Sequence, residues 1–211
     1  MSKILINPKL KSSVNQPSIK IPKLFNTERV FIIGGGSSLA NFDFKILIKK
    51  NIIAINKAFL FVPFANILYF SDYRFYTWYK NDIANFNGDV YSISNKVKDP
   101  KVKILKNTGK LGLDTTDGCI RSGGNSGYAA INLAYHLGAN EIILMGYDMQ
   151  SVDNKTHFHG GYSVKQSEAV YKNFLESFDS IRTQIPNVKI YNTSLDSKLT
   201  VFEKKDVSFF L

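Results

Sequence analysis

Short apolar runs alternate with amphipathic stretches along most of this chain, and that alternation predicts its architecture. Val30–Ile33, Ile52–Ile55, Ile67–Phe70 and Glu141–Met145 are runs of mainly aliphatic and aromatic side chains. Runs so nearly continuous suit parallel strands covered on both faces. Val90–Ser94, Val102–Leu105 and Val188–Tyr191 read as further strands. Between them, Asn41–Lys50 predicts a short helix, Tyr73 opens another, and Lys165–Ile185 predicts a long one. Ala130, Leu133, Ala134 and Leu137 recur at three- and four-residue spacing, and Gly138 stands where a left-handed C-cap belongs. The expected fold is a single α/β domain, Rossmann-like, with a mostly parallel sheet and helices on both faces.

Residues 1–27 break this pattern. Pro8, Pro17 and Pro22 sit among Ser, Asn and Lys without a sustained period, so an extended basic arm is expected, with the domain running from 28 to 211. The arm holds Lys3, Lys9, Lys11, Lys20 and Lys23 and no acid, which is half of the chain's net charge of +10. The other lysines are scattered rather than striped, which argues for a solvated basic surface and against a nucleic-acid partner. No apolar run is long enough for a membrane span, and Met1–Leu10 lacks the core of a signal peptide, so a cytoplasmic protein is expected. The single cysteine, Cys119, excludes an internal disulfide and a cysteine-based zinc cluster.

Candidate chemistry gathers at the strand ends. Ligands of open α/β sheets bind beyond the carboxyl ends of strands. There the chain places Gly34-Gly35-Gly36-Ser37-Ser38, Asn56, Ser71-Asp72 and Gly146-Tyr147-Asp148. A glycine turn between strand and helix offers backbone N–H groups to a phosphate, or simply turns tightly. The dinucleotide fingerprint is not met, because no glycine falls three residues after Gly36. Gly123, Gly124 and Gly127 would let backbone approach a ligand, and Asn125 or Ser126 would cap the helix that follows. Residues 106–121 read as a polar loop over the site, and the aromatic run Tyr73–Tyr79 as core and rim packing. His157 and His159 share one loop: His159 is expected as general base, and a metal pair would need Asp72 and Asp148 as further ligands. His136, inside an amphipathic helix, reads as structural.

These segments occur in an order that resembles bacterial lipooligosaccharide sialyltransferases, glycosyltransferase family 42. The likeness rests on Gly34–Leu39, Asn56, Asn125-Ser126-Gly127, Gly146-Tyr147-Asp148, His157-Phe158-His159-Gly160 and Val188–Tyr191, and spans most of residues 29–200. The glycine-turn and aspartate pattern is also similar to the group described as resembling 6-hydroxymethylpterin pyrophosphokinase (MptE-like). The resemblance implies a glycosyltransferase GT-A-like variant of the fold. It implies that Gly34, Gly35, Gly36, Ser37, Ser38, Asn56, Asn125, Ser126, Gly127 and Asp148 hold a nucleotide. Gly35 and Ser37 stand where the family has Asn and Pro, and Ser71-Asp72 where it has Asn-Pro. Gln150 occupies the place of one tyrosine that steadies the departing phosphate, leaving Tyr147 and Tyr162 as substitutes. The family's catalytic histidine aligns nearer Gly161 than His159.

The leading expectation is therefore a transferase that moves a sugar from a nucleotide-activated donor, of the CMP-sugar type, to a hydroxyl acceptor such as a glycan. No tightly bound cofactor is expected. A second expectation is Mg²⁺-dependent diphosphate transfer from ATP, with Asp72 and Asp148 as ligands. A third is a nucleotide-binding or interaction module without catalysis. A homo-oligomer remains open.

Overall fold

The computed structural model describes residues 19–26, 28–151, 157–160, 167–181, 184–185 and 187–211. Its centre is an eight-stranded sheet. In chain order the strands and helices are β1 (Arg29–Ile33), β2 (Asn51–Ile55), β3 (Ile67–Phe70), α1 (Tyr73–Asn85), β4 (Asp89–Ser92) and β5 (Val102–Ile104). They continue with β6 (Lys106–Gly109), β7 (Cys119–Arg121), α2 (Ser126–His136), β8 (Glu141–Met145), α3 (Glu168–Asp179), β9 (Lys189–Asn192) and β10 (Glu203–Lys204). The spatial order is β10-β9-β8-β1-β2-β3-β4-β5, and every pairing is parallel. β1 lies between β2 and β8, so the order reverses there, and the gap beyond their carboxyl ends is the topological switch point.

The period of two along each strand divides the core. Val30, Ile32, Ile53, Ile55, Ile142 and Leu144 face α2 and α3 together with Phe178. Phe31, Ile33, Ile52, Ala54, Ile143 and Met145 face the opposite layer, built from α1 and short 3₁₀ turns. Each of these side chains larger than alanine stabilises by about 1.5–3 kcal/mol on burial, which is why strands of four or five residues hold.

α2 begins at Asn125, whose side chain accepts from the N–H groups of Gly127 (2.6 Å) and Tyr128 (3.2 Å). It ends in a Schellman motif: Gly138 at φ +93° donates to the Tyr135 carbonyl and Ala139 to the Ala134 carbonyl.

Three local expectations change. Asn41–Lys50 folds as a 3₁₀ turn over Phe44–Leu47 instead of an α-helix, since Ile46 and Ile48 are β-branched and only Leu47 is buried. The loop at 106–121 contains the β6–β7 parallel ladder, pinned to α2 by Asn132, whose side-chain oxygen accepts from Asp114 and Arg121 N–H. The arm is described over 19–26, and there it packs on the domain. Ile21 and Phe25 are buried, the Phe25 N–H donates to the Leu137 carbonyl at 2.8 Å, and the Ile21 N–H donates to Asp117 at 2.8 Å. The core thus recruits residues ahead of 28.

Candidate functional site

At the switch point two loops meet backbone to backbone. The Gly34 N–H donates to the Met145 carbonyl (2.8 Å) and the Gly36 N–H to the Gly146 carbonyl (2.9 Å). A Cβ on Gly36 would stand 2.5 Å from the Gly146 oxygen and 2.6 Å from the Asp148 carboxyl carbon, so only glycine fits. Asp148 is buried and its carboxylate accepts three bonds from the turn: Ser38 N–H at 2.8 Å, Ser38 Oγ at 2.6 Å and Ser37 Oγ at 3.2 Å. Ser38 Oγ also lies 3.0 Å from Ser194 Oγ. The hydroxyls of Ser37 and Ser38 are thus engaged by Asp148.

Beside this seam opens a cavity of about 840 Å³. Of the residues singled out as nucleotide-binding, Gly34, Gly35, Gly36, Asn56, Asn125, Ser126, Gly127 and Asp148 line it, whereas Ser37 and Ser38 do not. Asn56 (φ +49°) and Met149 (φ +51°) both line it in left-handed backbone, a conformation disfavoured for side chains other than glycine and held here by the surrounding fold. On the floor a chain of hydroxyls runs from Tyr69 to Ser71 (3.2 Å) to Ser126 (3.1 Å). Asn125 and Ser126 present the N-terminus of α2, where the helix dipole favours an anion, although the Gly127 and Tyr128 N–H groups already donate to the Asn125 side chain.

One expected role changes here. Tyr147 lines the cavity but is buried, and its hydroxyl donates to the Gly127 carbonyl at 3.0 Å, bracing α2 against the end of β8. Burial pushes that phenol well above its usual pKa. Tyr162 lies outside the described residues. Gly127 is a glycine because the Tyr147 ring occupies the space of a side chain there, 2.9 Å from a Cβ.

The two histidines part company. His157 lines the cavity beside Gly35, where an added Cβ would meet the His157 ring at 2.8 Å. His159, 9% exposed, is not part of the lining and stacks on Phe61 at 5.9 Å and 16°. The two imidazoles stack on each other at 5.5 Å. Burial lowers the pKa of His157, and burial with the charges of His157 and Lys57 lowers that of His159 to about 4. Both rings are neutral at pH 7.

Asp72 lines the cavity at the N-cap position of α1, where its side chain caps nothing. Among the described residues no group of three or more His, Cys, Asp or Glu side chains converges as a metal set. Asp148 spends three of about four carboxylate lone-pair positions on the glycine turn, so a Mg²⁺ site shared by Asp72 and Asp148 does not fit.

Three cavity residues escaped the reading of the sequence. Arg74 and Trp78 line it from α1, and Tyr171 from α3. Burial raises the Tyr171 phenol, a hydrogen bond with Ser151 lowers it, and the charge of Asp148 raises it. Tyr171 sits on the same helical stripe as Phe174 and Phe178, which disguises a site residue as core.

No helix among the described residues is long and apolar enough to cross a membrane. No family model matches the chain, and no curated protein sequence does. The fold is similar to that of the sialyltransferase CstII from Campylobacter jejuni, solved in complex with a substrate analogue, cytidine-5'-monophosphate. The TM-score is 0.52, with 14% identity over 85% of each chain, and it establishes for this chain the sialyltransferase-like α/β fold.

Proposed function

We propose that this protein transfers a sugar from a nucleotide-activated donor to a hydroxyl acceptor. The observation that carries the reading is one cavity at the β1/β8 switch point. It gathers the glycine turn, Asn56, the N-terminus of α2 and a neutral imidazole, His157. The fold it shares with a sialyltransferase studied with a cytidine nucleotide supports the same choice. The donor's phosphate is assigned to the α2 N-terminus at Asn125–Ser126, and its nucleoside to the Gly34–Gly36 and Asn56 side.

Of the two histidines, His157 is assigned as base because it lines the cavity. Its nitrogen takes the acceptor hydroxyl proton as the oxygen bonds to the anomeric carbon. The bond from that carbon to the phosphate oxygen breaks, and the phosphate leaves with the electron pair. Tyr171 replaces Tyr147 as the phenol for the leaving phosphate, since the Tyr147 hydroxyl already donates to Gly127.

The test is a thermal-shift series with CMP, UDP, GDP and ATP, each with and without Mg²⁺, followed by turnover with the matching sugar nucleotide. Stabilisation by CMP without metal, with turnover, is expected. Stabilisation by ATP only with Mg²⁺ would favour diphosphate transfer, and nucleotide binding without turnover would favour a binding module.

A further inference from the structure

The floor of the cavity is polar, but its α1 wall is aromatic and carries a guanidinium. Trp78, the only tryptophan in the chain, lines the cavity and is 54% exposed. Arg74, one helical turn earlier, also lines it and stands over the indole at 5.5 Å. Among the described residues the Arg74 guanidinium has neither an ion-pair nor a hydrogen-bond partner. Neither residue is needed by the core, whose α1 contribution is Phe75, Tyr76 and Ile83.

The part of the indole that Arg74 leaves exposed suits the C–H face of a pyranose ring, which is apolar, rigid and flat enough to stack. A free guanidinium beside it suits a carboxylate or phosphate, which it can grip with two parallel hydrogen bonds. The geometry points to Trp78 and Arg74 as an acceptor subsite for a pyranose that bears an anionic group. This rests on the sugar-transfer reading above. The donor's anion binds elsewhere in the cavity, at the α2 N-terminus, which leaves the α1 wall for the second substrate.

Because Trp78 is the sole tryptophan, the protein's intrinsic indole emission reports this subsite directly. The intact chain is titrated with methyl glucuronide, glucose 6-phosphate, methyl glucoside and CMP, with calorimetry of CMP on the same sample. A saturable emission change is expected with one or both acidic sugars, and which one responds tells carboxylate from phosphate. Methyl glucoside should bind about tenfold more weakly or worse, the scale of one lost charge-assisted contact. Arg74→Ala should reduce the acidic sugar to the level of the glucoside, with Arg74→Lys between them, while CMP affinity stays the same. If CMP binds calorimetrically and no sugar changes the emission, the subsite is overturned and the donor reading survives. If neither binds, both fail. Equal response to neutral and acidic sugars, or an emission change with CMP alone, would also overturn the assignment.

Discussion

The Tyr147 hydroxyl donates to the Gly127 carbonyl at 3.0 Å, and the Tyr147 ring fills the space beside the Gly127 α-carbon. One contact thus ties the end of β8 to the first turn of α2, on which the proposed phosphate site depends.

Gly127→Val should therefore act on folding before it acts on binding. A branched side chain would overlap Tyr147 at 2.9 Å and Asn125 Oδ1 at 2.9 Å. Overpacking of this kind costs about 1–3 kcal/mol. The expected outcome is a melting temperature lower by several degrees, read by calorimetry. Gly127→Ala should fall between the variant and the native chain. A native melting temperature for Gly127→Val would show that the loop relaxes freely.

Asp148→Ala should loosen the glycine turn. The Ser38 N–H and the two serine hydroxyls would lose their shared acceptor, and because Ser37 is half-buried and Ser38 exposed, each lost bond costs about 0.5–1.5 kcal/mol. Nucleotide affinity should fall along with stability, because the turn itself moves. Asp148→Asn, which keeps one acceptor oxygen, should lose less of both. Equal losses in the two variants would locate the role of Asp148 in its charge and not in its bonds to the turn.

The sheet was legible in the sequence because its strands are buried on both faces and so read as unbroken apolar runs. Ile67–Phe70 and Glu141–Met145 have the expected limits. The gathering of Gly34, Asn56 and Asp148 at one edge followed from the parallel sheet alone. What lay beyond reach was side-chain direction. Asp148 turns inward to Ser38, and Tyr147 inward to Gly127, through contacts about 110 and 20 residues apart in sequence. Gly35 lies beside both imidazoles, so it is the cavity lining that singles out His157, while His159 stacks on Phe61. Lys106–Gly109 carries no apolar pattern, so its pairing with Cys119–Arg121 was hidden.

Phe25→Ala should destabilise the whole domain. Phe25 is fully buried within the cluster around α2, beside the Schellman turn at Gly138. Truncation of a buried phenylalanine costs about 3–5 kcal/mol. Urea unfolding should show an earlier midpoint with an unchanged slope. Deleting residues 1–27 should be at least as harmful, since Ile21 is lost too. If that deletion melts like the native chain, the packing of residues 19–26 contributes nothing to stability.

The histidine pair gives the sharpest test. His157→Ala should cut turnover by about two to four powers of ten, the usual contribution of a positioned base, with donor affinity nearly unchanged. His159→Phe keeps the stack on Phe61 but cannot take a proton, and should retain most activity. The two variants also differ in acid. The folded pKa of His159 lies at about 4, below its usual 6.5. Between these values the unfolded chain binds a proton that the folded chain refuses. This contribution to stability is fully present above pH 6.5 and is lost progressively as pH falls to about 4. His157 acts in the same direction through burial. Urea midpoints at pH 7.5, 6.5, 5.5 and 4.5 should drop steeply for the native chain and less for His159→Phe. Loss of turnover in His159→Phe, with His157→Ala active, would return the base to His159. Parallel acid profiles in the native chain and His159→Phe would show that His159 is no more reluctant to protonate folded than unfolded.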